Sequence, residues 1–81
     1  MSLTPKQTQV YTELLQLEDQ HPTVRSLADR LEQRYHRSER WSDSEVRGLL
    51  DRLQDAGYVA RYKGDKGEVR WQPLRPEELS E

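Results

Sequence analysis

The sequence predicts a mainly α fold with a small β-hairpin, and three observations predict it. Helix-start signatures stand at Thr4, Thr23 and Ser42, each followed by apolar residues at helical spacing. After Gly57 that spacing gives way to short aromatic and β-branched runs, the pattern of strands. Pro22 and the polar run His36-Arg37-Ser38-Glu39-Arg40 separate the three helical stretches.

The first helix is announced by Thr4-Pro5-Lys6-Gln7, with Thr4 as N-cap, Pro5 at the first helical position and Gln7 as the reciprocal partner of a capping box. Val10, Leu14 and Leu17, with Tyr11 and Leu15 beside them, carry its apolar stripe to about Asp19. Gln20-His21-Pro22 ends it, because the residue before a proline is pushed out of the helical region. Thr23 then caps a second helix with a stripe of Val24, Leu27, Ala28, Leu31 and Tyr35.

The third helix has the clearest ends. Ser42 and Glu45 form a capping box, and Trp41 is placed to fold over Val46 as a hydrophobic staple. Val46, Leu49, Leu50 and Leu53 fall on one face, and Gly57 stands where a left-handed C-cap belongs. Two strands follow at residues 58–63 and 68–72, joined by Gly64-Asp65-Lys66-Gly67, and Pro73 and Pro76 stop the second. Residues 1–73 are thus expected to form one domain. The acidic remainder, 74–81, reads as a frayed turn, a disordered end or a docking segment.

Of the 81 residues, 32% are hydrophobic and 35% charged, so the core must come from a few well-placed side chains. The absence of cysteine excludes disulfides and thiolate metal sites and fits a reducing compartment. No apolar run approaches the roughly 18 residues of a membrane span, and the N-terminus lacks the features of a signal peptide. A cytoplasmic chain without membrane contact is the expectation. The net charge of −2 hides a blocked pattern: residues 25–41 hold five arginines against three carboxylates, and residues 61–72 hold four cations against two.

Three one-sided helices must bury their stripes together, and a lone hairpin is only marginally stable, so the strands are expected to pack on the same core. That is the winged-helix arrangement. The chain resembles the winged helix-turn-helix regulators, and in particular the amino-terminal DNA-binding domain of the bacterial SOS-response repressor. The resemblance is carried by Leu3-Thr4-Pro5-Lys6-Gln7 with Val10, by Pro22-Thr23 leading to Leu27-Ala28-Asp29-Arg30-Leu31, and by Leu49, Leu53 and Gly57-Tyr58-Val59. It covers residues 3 to about 72 and does not extend to that repressor's protease domain; the connector at His36–Arg40 is longer than that family's. What it implies is double-stranded DNA as partner, with the third helix in the major groove and the hairpin as a wing on the backbone.

On that reading, base contacts fall to Ser44, Arg47, Gly48 and Asp51 near the start of the third helix, with Arg47 reaching a guanine edge. Phosphate contacts fall to Arg37, Arg40, Lys63, Lys66 and Arg70. Gly48 either admits a DNA group or clears space for the hairpin or another helix. Asp51 pairs with Arg47, accepts from a cytosine amine, or is solvated surface. Trp41 is a staple or a stacking residue, and Tyr62 is placed to bond a phosphate. From Asp43 to Ala56 four acids face two arginines, which opens the alternative of a protein-interaction module using the acidic face or the tail. Two half-sites would call for a homodimer. His21 and His36 lack the spacing of a metal pair, and no nucleophile with a base is present, so neither a cofactor nor an enzyme activity is expected.

Overall fold

The computed structural model describes residues 3–17, 20–35 and 40–74. Its elements run α1 (Pro5–Leu17), α2 (Val24–Tyr35), α3 (Asp43–Asp55), β1 (Val59–Lys63) and β2 (Val69–Pro73), the three helices and antiparallel hairpin of the expected class.

Local capping sets the helix starts. At α1 both halves of the box form: the Gln7 N–H donates to Thr4 Oγ1 at 3.2 Å and the Thr4 N–H donates to Gln7 Oε1 at 2.9 Å. At α2 the Ser26 N–H donates to Thr23 Oγ1 at 3.2 Å. At α3 Ser42 is extended and accepts from the Glu45 N–H at 3.2 Å. The Glu45 carboxylate, however, reaches the Lys6 ammonium of α1 at 2.5 Å, so the expected box is half formed. A charge-assisted bond to an ammonium outcompetes one to a neutral N–H. Ser42→Ala is therefore expected to cost about 1 kcal/mol, seen as a lower urea midpoint at unchanged slope. An unchanged midpoint would mean that tertiary contacts alone hold this start.

The end of α3 is equally local. Gly57 takes φ 87°, its N–H donates to Gln54 O at 3.0 Å, and the Tyr58 N–H donates to Leu53 O at 2.9 Å. These are the two bonds of a Schellman motif, which turns the chain directly into β1.

One core joins the elements. Val10, Tyr11 and Leu14 of α1 meet Leu27, Ala28 and Leu31 of α2, Val46, Leu50 and Leu53 of α3, and Val59 and Trp71 of the hairpin. Leu49, expected in the buried stripe of α3, is half-buried at its margin. Trp41 is 3% exposed and belongs to the same cluster, with Lys6 Nζ 4.8 Å above its ring and its backbone N–H donated to Glu32 Oε2. A ring so enclosed is structural and offers no stacking face. Glu13, which no local pattern singles out, is 2% exposed between Arg30 Nε (3.0 Å) and Arg34 Nε (2.7 Å) of α2.

In the hairpin Val59 stands opposite Pro73 and Lys63 opposite Val69. The Gly64 N–H donates to Glu68 O at 2.7 Å, and Gly67 takes φ 81°. The expected four-residue link is therefore a three-residue loop, Asp65-Lys66-Gly67, with the glycine in the left-handed position that such loops require. Pro73 is the last residue of β2 rather than its stop. The next rung, Leu74 N–H to Tyr58 O at 2.8 Å, makes 59/73 a pair without ladder bonds, so the missing N–H of proline costs nothing there. The other edge of β2 is covered: the Trp71 N–H donates to Pro22 O at 3.0 Å. Leu74 is tied down further by the Tyr11 hydroxyl, and residues 75–81 of the expected tail lie outside the described residues.

Candidate nucleic-acid interface

The outward face of α3 follows from its buried one. With Val46, Leu50 and Leu53 turned to the core, Ser44, Arg47, Gly48 and Asp51 are all exposed, as are Arg52 and Asp55. The four residues expected to meet bases thus share one surface. A Cβ built on Gly48 meets nothing within 4 Å, so the glycine clears no room for the hairpin or for another helix. Among the described residues neither Arg47 nor Asp51 has an ion-pair partner, although they stand one turn apart. Arginine preceding the acid is the weaker order for such a pair.

The two edges of this face are distinct. Glu45 meets Lys6 of α1, and Lys6 Nζ also donates to the Arg40 carbonyl at 3.3 Å, so exposed Arg40 flanks the α1 edge. On the other edge Asp43 lies 4.0 Å from Arg25 of α2, and Arg47 follows one turn beyond Asp43. Arg25 has 80% of its side chain exposed beside the start of α3. Its place in the first turn of α2 was visible in the sequence; its proximity to α3 was not, because 18 residues of chain separate the two.

The wing is fastened to that same edge. His21, four residues before Arg25, has its Nδ1 2.5 Å from the Tyr62 hydroxyl, with the two rings edge to face at 5.4 Å. Arg70 Nη1 donates to the His21 carbonyl at 2.6 Å, and Arg70 Nε donates to Glu68 Oε2 at 2.8 Å. That bond holds the Glu68 carboxyl below its usual range and raises Arg70, so both are charged at neutral pH. Glu68 also receives the Lys66 backbone N–H at 3.0 Å, which orders the loop tip. Arg70 and Tyr62, both read as phosphate partners, thus have bonds that hold the wing against the connector between α1 and α2. Lys63 and Lys66 are exposed, and Arg37 lies outside the described residues.

These elements define a winged helix-turn-helix domain of the kind carried by transcriptional regulators. The particular likenesses are to solved structures. The ferric uptake regulator of Vibrio cholerae, whose DNA-binding domains were the subject of that structure, superposes with a TM-score of 0.74 at 22% identity, over 94% of this chain and 56% of its own. A manganese uptake regulator superposes with a TM-score of 0.63 at 28% identity, over 94% of this chain and 53% of its own. A transcriptional regulator from Clostridium thermocellum gives 0.72 at 12% identity, over 98% and 80%. The chain therefore spans a little over half the length of the first two, and the likenesses establish its fold. No protein-family model and no curated protein matches it. Among the described residues no helix is long and apolar enough to cross a membrane, and no three His, Asp or Glu side chains group as metal ligands.

Proposed function

We propose that this chain is a cytoplasmic, sequence-specific double-stranded DNA-binding domain of a transcriptional regulator, acting by binding and not by catalysis. The observation that supports this most is the outward face of α3: exposed Ser44, Arg47, Gly48 and Asp51, flanked by Arg25 on one edge and Arg40 on the other. In this reading α3 enters the major groove, Arg47 bonds a guanine edge, and the wing rides on the backbone through Lys63 and Lys66. Arg37 joins the phosphate set, whereas the Arg70 guanidinium is bonded to Glu68 and to the His21 carbonyl. The resemblance to the SOS repressor's DNA-binding domain is carried only as far as this docking. The unit spans residues 1–73, with 74–81 as its acidic tail, and two copies on a two-fold site supply specificity that one set of base contacts lacks.

A salt titration on duplex DNA tests the proposal. With Arg25, Arg37, Arg40, Lys63 and Lys66 of each copy near phosphates, log affinity is expected to fall with log salt at a slope of roughly −4 to −5 per copy bound. Absence of binding at low salt would overturn it. That outcome would favour the second reading, a winged helix that docks a protein partner, which the exposed acids Asp51 and Asp55 support.

A further inference from the structure

The outward face of α3 carries a problem that the docking above does not solve: a helix meant for a polyanion exposes Asp51 and Asp55. Asp55 stands in its last turn, far from the end that enters the groove first, but Asp51 stands one turn beyond Arg47. Two internal explanations for Asp51 fail. It makes no ion pair with Arg47 or with any other described residue, and its exposure rules out a role in packing. Gly48, between them, carries no side chain, and among the described residues nothing lies within 4 Å of where its Cβ would stand.

A carboxylate only accepts hydrogen bonds. In the major groove the bases offer it two donors, the N4 amine of cytosine and the N6 amine of adenine; guanine O6 and N7, thymine O4 and every phosphate are acceptors that repel it. One helical turn rises about 5.4 Å, so Asp51 falls within about two base pairs of the base that Arg47 meets. We propose, resting on the DNA-binding reading, that Asp51 is a specificity-determining residue that works mainly by exclusion. It weakens binding to duplex DNA in general and is compensated only where an amino-bearing base, cytosine or adenine, stands beside the guanine read by Arg47 and in the same strand as it. The acidity of α3 then lowers binding to random DNA more than binding to the target.

The experiment uses the full chain and two fluorescent duplexes, one selected from a random pool with the wild-type protein and one of random sequence. Asp51→Ala is expected to bind the random duplex several-fold more tightly, because one repulsive charge is gone. Its ratio of selected to random affinity is expected to fall about tenfold or more, the size of one good base contact. Asp55→Ala is expected to strengthen both duplexes alike and to keep the ratio. A fresh selection with Asp51→Ala should lose the preference for cytosine or adenine beside the guanine. An Asp51→Ala ratio equal to that of the wild type, or a wild-type selection placing guanine or thymine at that step, would overturn the proposal while leaving DNA binding intact. A wild-type chain that binds neither duplex would overturn both. Both substitutions are on exposed positions, and matching melting curves confirm that binding changes are not folding changes.

Discussion

Replacing Arg30 and Arg34 together by alanine is expected to remove about 3–5 kcal/mol of folding stability, the cost of leaving a buried carboxylate without its partners. Glu13 is 2% exposed, whereas the two guanidiniums have 46% and 45% of their side chains in solvent. The asymmetry decides the sign of a comparison. Glu13→Ala removes the buried charge and returns both arginines to water, so it should cost less, about 1–2 kcal/mol, mostly lost charge-assisted bonds and a small void. A domain of 81 residues has roughly 4–12 kcal/mol in all, so the double variant should lose a quarter or more of its stability. Urea midpoints and melting temperatures of the two variants measure this directly. A double variant no weaker than Glu13→Ala would show that water reaches the carboxylate once the arginines are gone.

Arg47→Ala is expected to lower affinity for a selected duplex by about ten- to a hundredfold, within the range of one bidentate base contact, while changing affinity for random DNA by only severalfold. Lys66→Ala should instead weaken every sequence alike and reduce the salt slope by about one. The contrast follows from position. Arg47 projects from the outward face of α3 with no ion-pair partner among the described residues, whereas Lys66 sits at the tip of a loop that its own backbone N–H bond to Glu68 orders. Competition binding of both variants against both duplexes measures it. Equal losses on the two duplexes from Arg47→Ala would remove α3 from the reading of sequence.

Much of the architecture was legible because its signals are local. The Thr4, Thr23 and Ser42 caps act over three residues, and the Gly57 turn acts over five, so the chain encodes them without reference to anything distant. The strands were placed within one residue of β1 and β2, and the errors lay at Tyr58, Glu68 and Pro73, where pairing across the hairpin decides which residue belongs to the ladder. The outward set Ser44, Arg47, Gly48 and Asp51 was legible for the same reason: helical spacing fixes the exposed face once the apolar one is known.

What the sequence by itself determined is where each helix begins, which face of each helix is apolar, and which α3 residues point outwards. Only the tertiary structure decided that Glu13 is buried under arginines 17 and 21 residues away, that Glu45 leaves its cap for Lys6, and that Arg70 bonds the His21 carbonyl. It also decided that Arg25 stands beside α3 and that the space over Gly48 is empty. The physical reason is range. Caps and periodicity are satisfied within a turn or two of chain, whereas the partner of a charged side chain is whichever opposite charge or carbonyl the packing of distant elements brings within about 3 Å, and no local pattern specifies that.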